Sequence, residues 1–244
     1  MSLRASLPAL LALALASPLL AGPVRFLPWD EAVGKQKFAV SSAGKQFDLP
    51  ALHPLMRSTP LTVTGTPEAP PLIVAKDKTD PATGKPATVE LKIPADMQSP
   101  LVLLLPDAAS PTGVKPFVVE DNSTKFPWGS IRHLNATGQD LITKIDGKLA
   151  ALPAGWTPVD VALNGAARNV GVETFLKAQP KQPLYSSLWE FDPDVRRLVI
   201  IVPGANARMG ALDYKIIPEN RKVLAMDEAA AAKAKGGGTA TGGQ

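Results

Sequence analysis

The sequence predicts an all-β fold, a two-layer antiparallel β-sandwich of immunoglobulin-like or similar architecture. First, apolar residues recur in short segments that alternate with polar residues or run together for about five positions, as strands do. Second, 25 prolines among 244 residues punctuate these segments, and proline breaks helices because it has no backbone N–H. Third, amphipathic helices do not separate the strands, as a doubly wound α/β fold would require.

The strongest strand signals are of two kinds. In residues 88–93, Val89, Leu91 and Ile93 alternate with polar residues, a period of two that indicates a half-buried strand. Residues 101–105 and 198–202 are apolar throughout and flanked by proline or arginine. They are too short for helices, so they predict central strands covered on both faces.

Two Gly-containing dipeptides predict hairpins. Asp146-Gly147 lies between apolar segments, and a type I′ turn needs positive φ at both central positions. Asn164-Gly165 predicts a second hairpin, with residues 170–175 as its return strand.

The amino terminus predicts export. Arg4 is the only charge before an apolar stretch at residues 7–20, and small residues follow at Ala21 and Gly22. This is the pattern of a secretory signal peptide, assigned to residues 1–21, and it predicts a periplasmic or secreted protein. An uncleaved membrane anchor is the alternative, but a bilayer span needs about 20 apolar residues.

The remaining chain divides into a sandwich domain at residues 22–218 and a tail at residues 219–244. A break into two sub-domains near residues 121–128 stays open, because this polar stretch separates two strand-rich regions. The tail is expected to be partly helical or disordered: it has an alanine-rich block followed by glycine and threonine. No internal repeat is evident in the sequence.

Composition argues against several kinds of site and partner. The chain has no cysteine, so disulfides, thiolate metal sites and cysteine nucleophiles are excluded. The net charge of +4 is not gathered into a basic stripe, so nucleic acid is not an expected partner. With His53 and His133 as the only histidines, neither in a ligand motif, we predict no metal site and no cofactor.

Catalytic motifs are not found, so no catalytic residue is predicted. The sequence lacks a Gly-x-Ser-x-Gly elbow. Ser130 and His133 are three apart on a predicted strand and should face opposite ways. A hydrolase with paired carboxylates cannot be assigned to particular residues, since any pair among 22 acids could serve.

Trp128 and Trp156 are the predicted binding residues. Both stand beside proline or glycine in turn-like settings, where an exposed indole can stack on a sugar ring or fill a pocket of a partner. The simpler interpretation is that they close the ends of a sandwich. Tyr185 and Trp189 are expected to pack inward, and Arg132, Arg196 and Arg197 to be solvated.

The sequence therefore favours an exported soluble β-sandwich with a non-catalytic binding or structural role. Its expected partner is an envelope or extracellular protein or a glycan, without stable membrane insertion after signal cleavage. Two alternatives stay open: a secreted hydrolase using paired carboxylates in a cleft, and an assembly subunit that associates through an edge strand.

Overall fold

The structure is a computed structural model that describes residues 19–66, 69–206 and 210–236. The predicted signal peptide, residues 1–21, lies outside this part except for its last three residues, which begin the first strand. The described residues form strands grouped in four four-stranded sheets, with two helices. The predicted all-β sandwich fold is confirmed.

The first eight strands form one sandwich. One sheet has the order β4-β1-β7-β8 and the other β3-β2-β5-β6. A short helix, α1 (Glu31–Gly34), follows β1 and is capped by the Asp30 carboxylate, which accepts a hydrogen bond from the Val33 N–H. The strands are β1 (Leu19–Pro28), β2 (Phe38–Ser42), β3 (Lys45–Asp48), β4 (Leu61–Gly65), β5 (Leu72–Thr79), β6 (Pro86–Glu90), β7 (Pro100–Pro106) and β8 (Val114–Glu120).

The next eight strands form a second sandwich. Its sheets have the orders β12-β9-β15-β16 and β11-β10-β13-β14. Helix α2 (Arg221–Gly236) follows the last strand. The strands are β9 (Ser130–Asn135), β10 (Leu141–Ile145), β11 (Lys148–Leu152), β12 (Val159–Ala162), β13 (Arg168–Leu176), β14 (Gln179–Phe191), β15 (Val195–Pro203) and β16 (Leu212–Asn220).

The two sandwiches have the same topology. Adding eight to each strand number of the first reproduces the order of every sheet in the second. The pairing directions also match, including the parallel pairs β1–β7 and β9–β15 among otherwise antiparallel neighbours. The chain is therefore a structural duplication, although no repeat is evident in its residues.

Register gives the residue correspondence between the halves. Both central strands end in a proline, Pro106 in β7 and Pro203 in β15. Aligned there, Leu101 corresponds to Leu198. Their partners in the parallel strands, Arg25 and Arg132, then correspond as well. The same alignment relates the pairs Phe26 and His133, Val119 and Ile217, and Asp121 and Glu219.

Three apolar cores hold the four sheets in a stack. Each sandwich has a core between its own two sheets. The third core lies between the sandwiches, where β1, β7 and β8 face β9, β15 and β16. This explains why residues 101–105 and 198–202 are apolar throughout: β7 and β15 belong to the two inner sheets. The third core contains the corresponding pairs Leu27 and Leu134, Leu101 and Leu198, Leu103 and Ile200, and Val119 and Ile217, together with Phe126.

Polar and aromatic contacts also join the sandwiches. The Lys215 ammonium of the second half donates to the Pro28 carbonyl of the first at 3.1 Å. Phe117 of the first half packs on the Trp156 ring of the second at 5.2 Å. Because the third core contains corresponding residues of both halves, the sandwiches meet through the same face of their inner sheets, as the subunits of a symmetric dimer do.

Two hairpin predictions had different outcomes. The Asp146-Gly147 turn joins β10 to β11, with φ of 50° and 80°, as predicted. The Asn164-Gly165 prediction was wrong, because β12 pairs with β9 and not with β13. The chain crosses there from an inner to an outer sheet.

The predicted carboxyl-terminal helix is present but begins earlier than the alanine block suggested. The Asn220 side-chain oxygen accepts the Lys222 N–H at 2.8 Å. Arg221 and Lys222 place two positive charges at the positive end of the helix dipole, an unfavourable arrangement. Asp194 forms ion pairs with both and offsets it.

A nick between the halves should leave them assembled. A protease site inserted between the exposed Ser123 and Thr124 would cut the chain where it passes from β8 to β9. The third core and the contacts of Lys215 and Phe117 should then hold both fragments together. Size-exclusion chromatography should show one peak containing both fragments, eluting with the uncut insertion variant. Two separate peaks under native conditions would contradict a stable contact between the sandwiches.

Candidate functional site

Trp128 and Trp156 do not come together. Trp128 precedes β9, and Trp156 bonds to Asn135 at the opposite end of the same strand, so about 20 Å separates them at 3.3 Å per residue. Both indoles are half-buried. Trp128 lies against the Arg196 guanidinium at 4.9 Å, and Trp156 lies between Phe117 and Trp29. They do not form a shared platform.

Two of the three arginines expected to be solvated are instead buried, and the third, Arg197, is half-buried. Arg132 is 5 % exposed and Arg196 is 2 % exposed. The prediction of solvated side chains was wrong for both, because each carries hydrogen bonds into the contact between the sandwiches. Arg132 binds the Asp160 carboxylate at 2.7 and 2.6 Å and the backbone carbonyl of Lys125.

Arg196 belongs to a buried ionic cluster of five side chains. Asp121 accepts bonds from Arg25 at 2.5 Å and from Arg57 at 2.9 and 3.1 Å. Glu219, its counterpart in the second half, accepts bonds from Arg196 at 2.7 Å and from Arg25. Arg25 of the first half therefore bridges the corresponding acids of both halves.

Electrostatics keep the cluster ionised. Burial alone would raise the pKa of Asp121, but Arg57, Arg196 and Arg25 hold it below its ordinary value. Burial likewise opposes ionisation of Glu219, and the same three arginines lower its pKa. A carboxylate with a lowered pKa is a poor general base near neutrality. The arrangement suits a structural clamp on the two sandwiches.

His133 is buried in the second sandwich where the first has Phe26. It is 1 % exposed, and neither ring nitrogen has a hydrogen-bond partner among the described residues. Burial lowers its pKa to about 4, against a weaker opposing effect of the Val159 backbone and the Asp160 carboxylate. The imidazole is therefore neutral at pH 7. Its setting is that of an apolar core residue.

Two shallow grooves contain acids, and each of those acids is ion-paired. The groove of about 510 Å³ beside α1 includes Glu31, paired with Lys35, and Asp48, paired with Lys76. The groove of about 500 Å³ on the outer sheet of the second half includes two more acids. They are Asp146, paired with Arg168, and Glu173, paired with Lys144.

The free edges of the sheets differ in how they are protected. Unpaired edge strands invite pairing with another chain, and proteins blunt them by keeping them short or placing proline in them. Of the eight edge strands in the described part, five have only four or five residues. β8 contains Pro116 and β16 contains Pro218.

Among the edges formed by the described residues, β14 is the unprotected one. It has 13 residues, and its prolines, Pro180 and Pro183, lie in the first half. The eight residues 184–191 contain no proline and pair with β13 on one side only. The corresponding strand of the first sandwich, β6, has five residues and starts with Pro86. The length of this edge is therefore a feature of the second half alone.

The β14 edge is apolar where it is most accessible. Leu188 is 72 % exposed. Its neighbour on β13 is Gly171, and a Cβ atom added to this glycine would have no atom of the described residues within 4 Å. Trp189 faces the core instead, where its indole N–H donates to the Tyr185 hydroxyl at 2.8 Å. The prediction that Tyr185 and Trp189 pack inward is confirmed for Trp189, which is 8 % exposed, while Tyr185 is half-buried.

The sequence held no specific signal for this edge. Residues 184–191 contain no proline, but longer proline-free stretches occur elsewhere, such as residues 128–152 and 159–179. That β14 lies at an edge depends on the order of the strands, which the sequence does not give.

Comparisons with known proteins add no relationship: no family model matches the sequence, and no curated protein matches it. Within the described ranges, no three or more His, Asp or Glu side chains are grouped so that they could hold a metal ion. No helix in those ranges is long and apolar enough to cross a bilayer.

His133 should make the protein acid-labile. Because its pKa is about 4 in the fold and about 6.5 in the unfolded chain, the unfolded state binds more protons between these values. The free energy of unfolding is then highest above pH 6.5 and falls as the pH drops towards 4, by about 2 kcal/mol between pH 7 and pH 5. His133→Phe, the residue of the first half, should remove most of this loss in urea unfolding.

His53→Phe is the matched control, since His53 is exposed. It should leave the pH dependence unchanged. If both variants keep the parental slope between pH 7 and pH 5, His133 is not buried as a neutral group.

Proposed function

We propose that this protein is an exported, non-catalytic association module. It binds an extended segment of another polypeptide along the free edge of β14, outside the cytoplasm. The observation that carries this proposal is the unprotected edge at residues 184–191, in a fold whose other described edges are short or contain proline. Strand addition uses such an edge: backbone hydrogen bonds give affinity, and alternate side chains give specificity.

The scaffold supports this role. β13 and β14 pair over nine registered positions, and the inward side of β14 is fixed by Trp189 and Phe191 in the core. A rigid edge loses little conformational freedom when a partner strand is added, which favours binding. The outward side, with Ser186, Leu188 and Glu190, is exposed and available for side-chain contacts.

The chemistry of the acids supports a non-catalytic role. Each acid in the two grooves is neutralised by a lysine or arginine. Where a carboxylate pKa departs clearly from its ordinary value in the described residues, it is lowered. A glycosidase needs one carboxyl with a raised pKa to act as the acid. Export is supported by the amino-terminal pattern of Arg4 and residues 7–20.

Photocrosslinking in the organism that makes the protein tests the proposal. A photoreactive side chain at Ser187 lies on the free edge of β14 and should give a discrete adduct with a protein in the fraction outside the cytoplasm. Leu188→Lys should abolish the adduct, because a lysine on an edge opposes strand addition, while an exposed site tolerates it in folding.

The control is the same photoreactive side chain at Lys115, which is exposed on the proline-containing edge β8. It should give no adduct. An adduct pattern at Ser187 that matches that at Lys115, or that survives Leu188→Lys, would contradict binding along β14.

A further inference from the structure

Residues 185–191 of β14 alternate between the two faces of the sheet on either side of Leu188. Register with β13 places Ser186, Leu188 and Glu190 on the outward face. Tyr185, Ser187, Trp189 and Phe191 lie on the inward face, where Ser187 is still exposed at the edge. In an antiparallel pair, residues opposite each other share a face. A second copy of this segment, centred on Leu188, therefore sets inward residues against inward residues and outward against outward.

We infer that the polypeptide bound at this edge is the β14 strand of a second copy of this chain, paired antiparallel about a two-fold axis at Leu188. This inference rests on the proposed function, for which it names the partner. The two outer sheets would join into one continuous sheet, closing both free edges at once. Such an isologous contact needs only one self-complementary segment.

Separation of like charges favours this register. Glu190 is the only charged side chain in residues 185–191. In the register centred on Leu188, each Glu190 lies opposite Ser186 of the second copy, whose hydroxyl can donate to the carboxylate. The two Glu190 carboxylates are then four residues apart, about 13 Å along the strand, which exceeds the screening length of about 8 Å in physiological salt.

Neighbouring registers are worse. Centring the pair on Ser187 would oppose Phe191 to Pro183, and centring it on Trp189 would bring in Pro193. Centring on Glu190 would place two like charges directly opposite each other, which destabilises a strand pair. Centring the pair between two adjacent residues would place inward side chains opposite outward ones.

The register also covers the most accessible apolar side chain on the edge. Leu188 is 72 % exposed, and Gly171 beside it on β13 leaves open space. The facing copy of Leu188 would bury both side chains between the joined sheets. Tyr185 would lie opposite Phe191 of the second copy on the inward face, an aromatic pair of the kind that stabilises adjacent strands.

Cysteine crosslinking of the full-length chain tests the contact and its register, because the protein has no cysteine of its own. Opposed residues in an antiparallel pair have Cα atoms about 4.5 to 5.5 Å apart, within the range for a disulfide. Leu188→Cys should therefore oxidise to a disulfide-linked dimer as the main species on non-reducing gels. An equimolar mixture of Ser186→Cys and Glu190→Cys chains should crosslink as a heterodimer.

Two controls make the outcome specific. Leu149→Cys is about equally exposed, at 69 %, on the same outer sheet, and should form no disulfide-linked dimer on non-reducing gels. Ser186→Cys alone should not crosslink, since its copies would be about 13 Å apart. In sedimentation, the unmodified chain should dimerise with concentration and Leu188→Lys should not.

A monomer at all concentrations, or equal crosslinking at Leu149 and Leu188, would overturn the second copy as the partner. Failure of the proposed function would be distinguished by the Ser187 photocrosslink. An adduct with a different protein there preserves edge binding while overturning self-pairing, and loss of every adduct overturns both.

Discussion

Burial of both faces of the two inner sheets is the constraint on which the rest of this structure depends. β7 and β15 are apolar on each side because each separates two cores. If an inner sheet were polar on the face towards the other sandwich, the third core would not form and the two sandwiches would lose their main contact. With no disulfide in the chain, this burial, roughly 25 cal/mol for each Å² of apolar surface removed from water, is the main source of cohesion.

The ionic cluster at one end of the third core gives that apolar contact its orientation. Burying charges is unfavourable unless they are well paired, so a buried cluster adds less to stability than to specificity. Arg25 contacts both Asp121 and Glu219, which correspond in the two halves. A slip or rotation between the sandwiches would separate these charges. The apolar faces alone would tolerate such a movement.

Local sequence patterns predicted the fold class, but they did not predict which strands pair in the sheets. The apolar runs at residues 101–105 and 198–202, the alternation at residues 88–93 and the Asp146-Gly147 turn each carry their own signal. The assignment of β12 to a different sheet from β13 carries none, since it depends on which strands meet after distant parts of the chain fold. The duplication was also hidden, because corresponding positions of the two halves carry different residues, as Phe26 and His133 do.

The candidate site was less predictable than the fold. Aromatic residues beside turns attracted attention to Trp128 and Trp156, but neighbouring rings and Arg196 occupy their faces. Arg132 and Arg196 were expected to be solvated because charged residues are mostly exposed. The free edge of β14 can be recognised only when the order of the strands in the sheets is known.

Strand pairing within each half has a consequence for how the chain reaches its native state. Every described backbone ladder joins strands of the same half, so residues 19–120 contain all the partners that their own sheets require. When a chain emerges end first from a ribosome or a translocation channel, such a segment can collapse before the remainder arrives. The first sandwich would then expose the apolar face of its inner sheet until the second sandwich is synthesised. Because both belong to one chain, the second sandwich would meet this face at a high effective concentration.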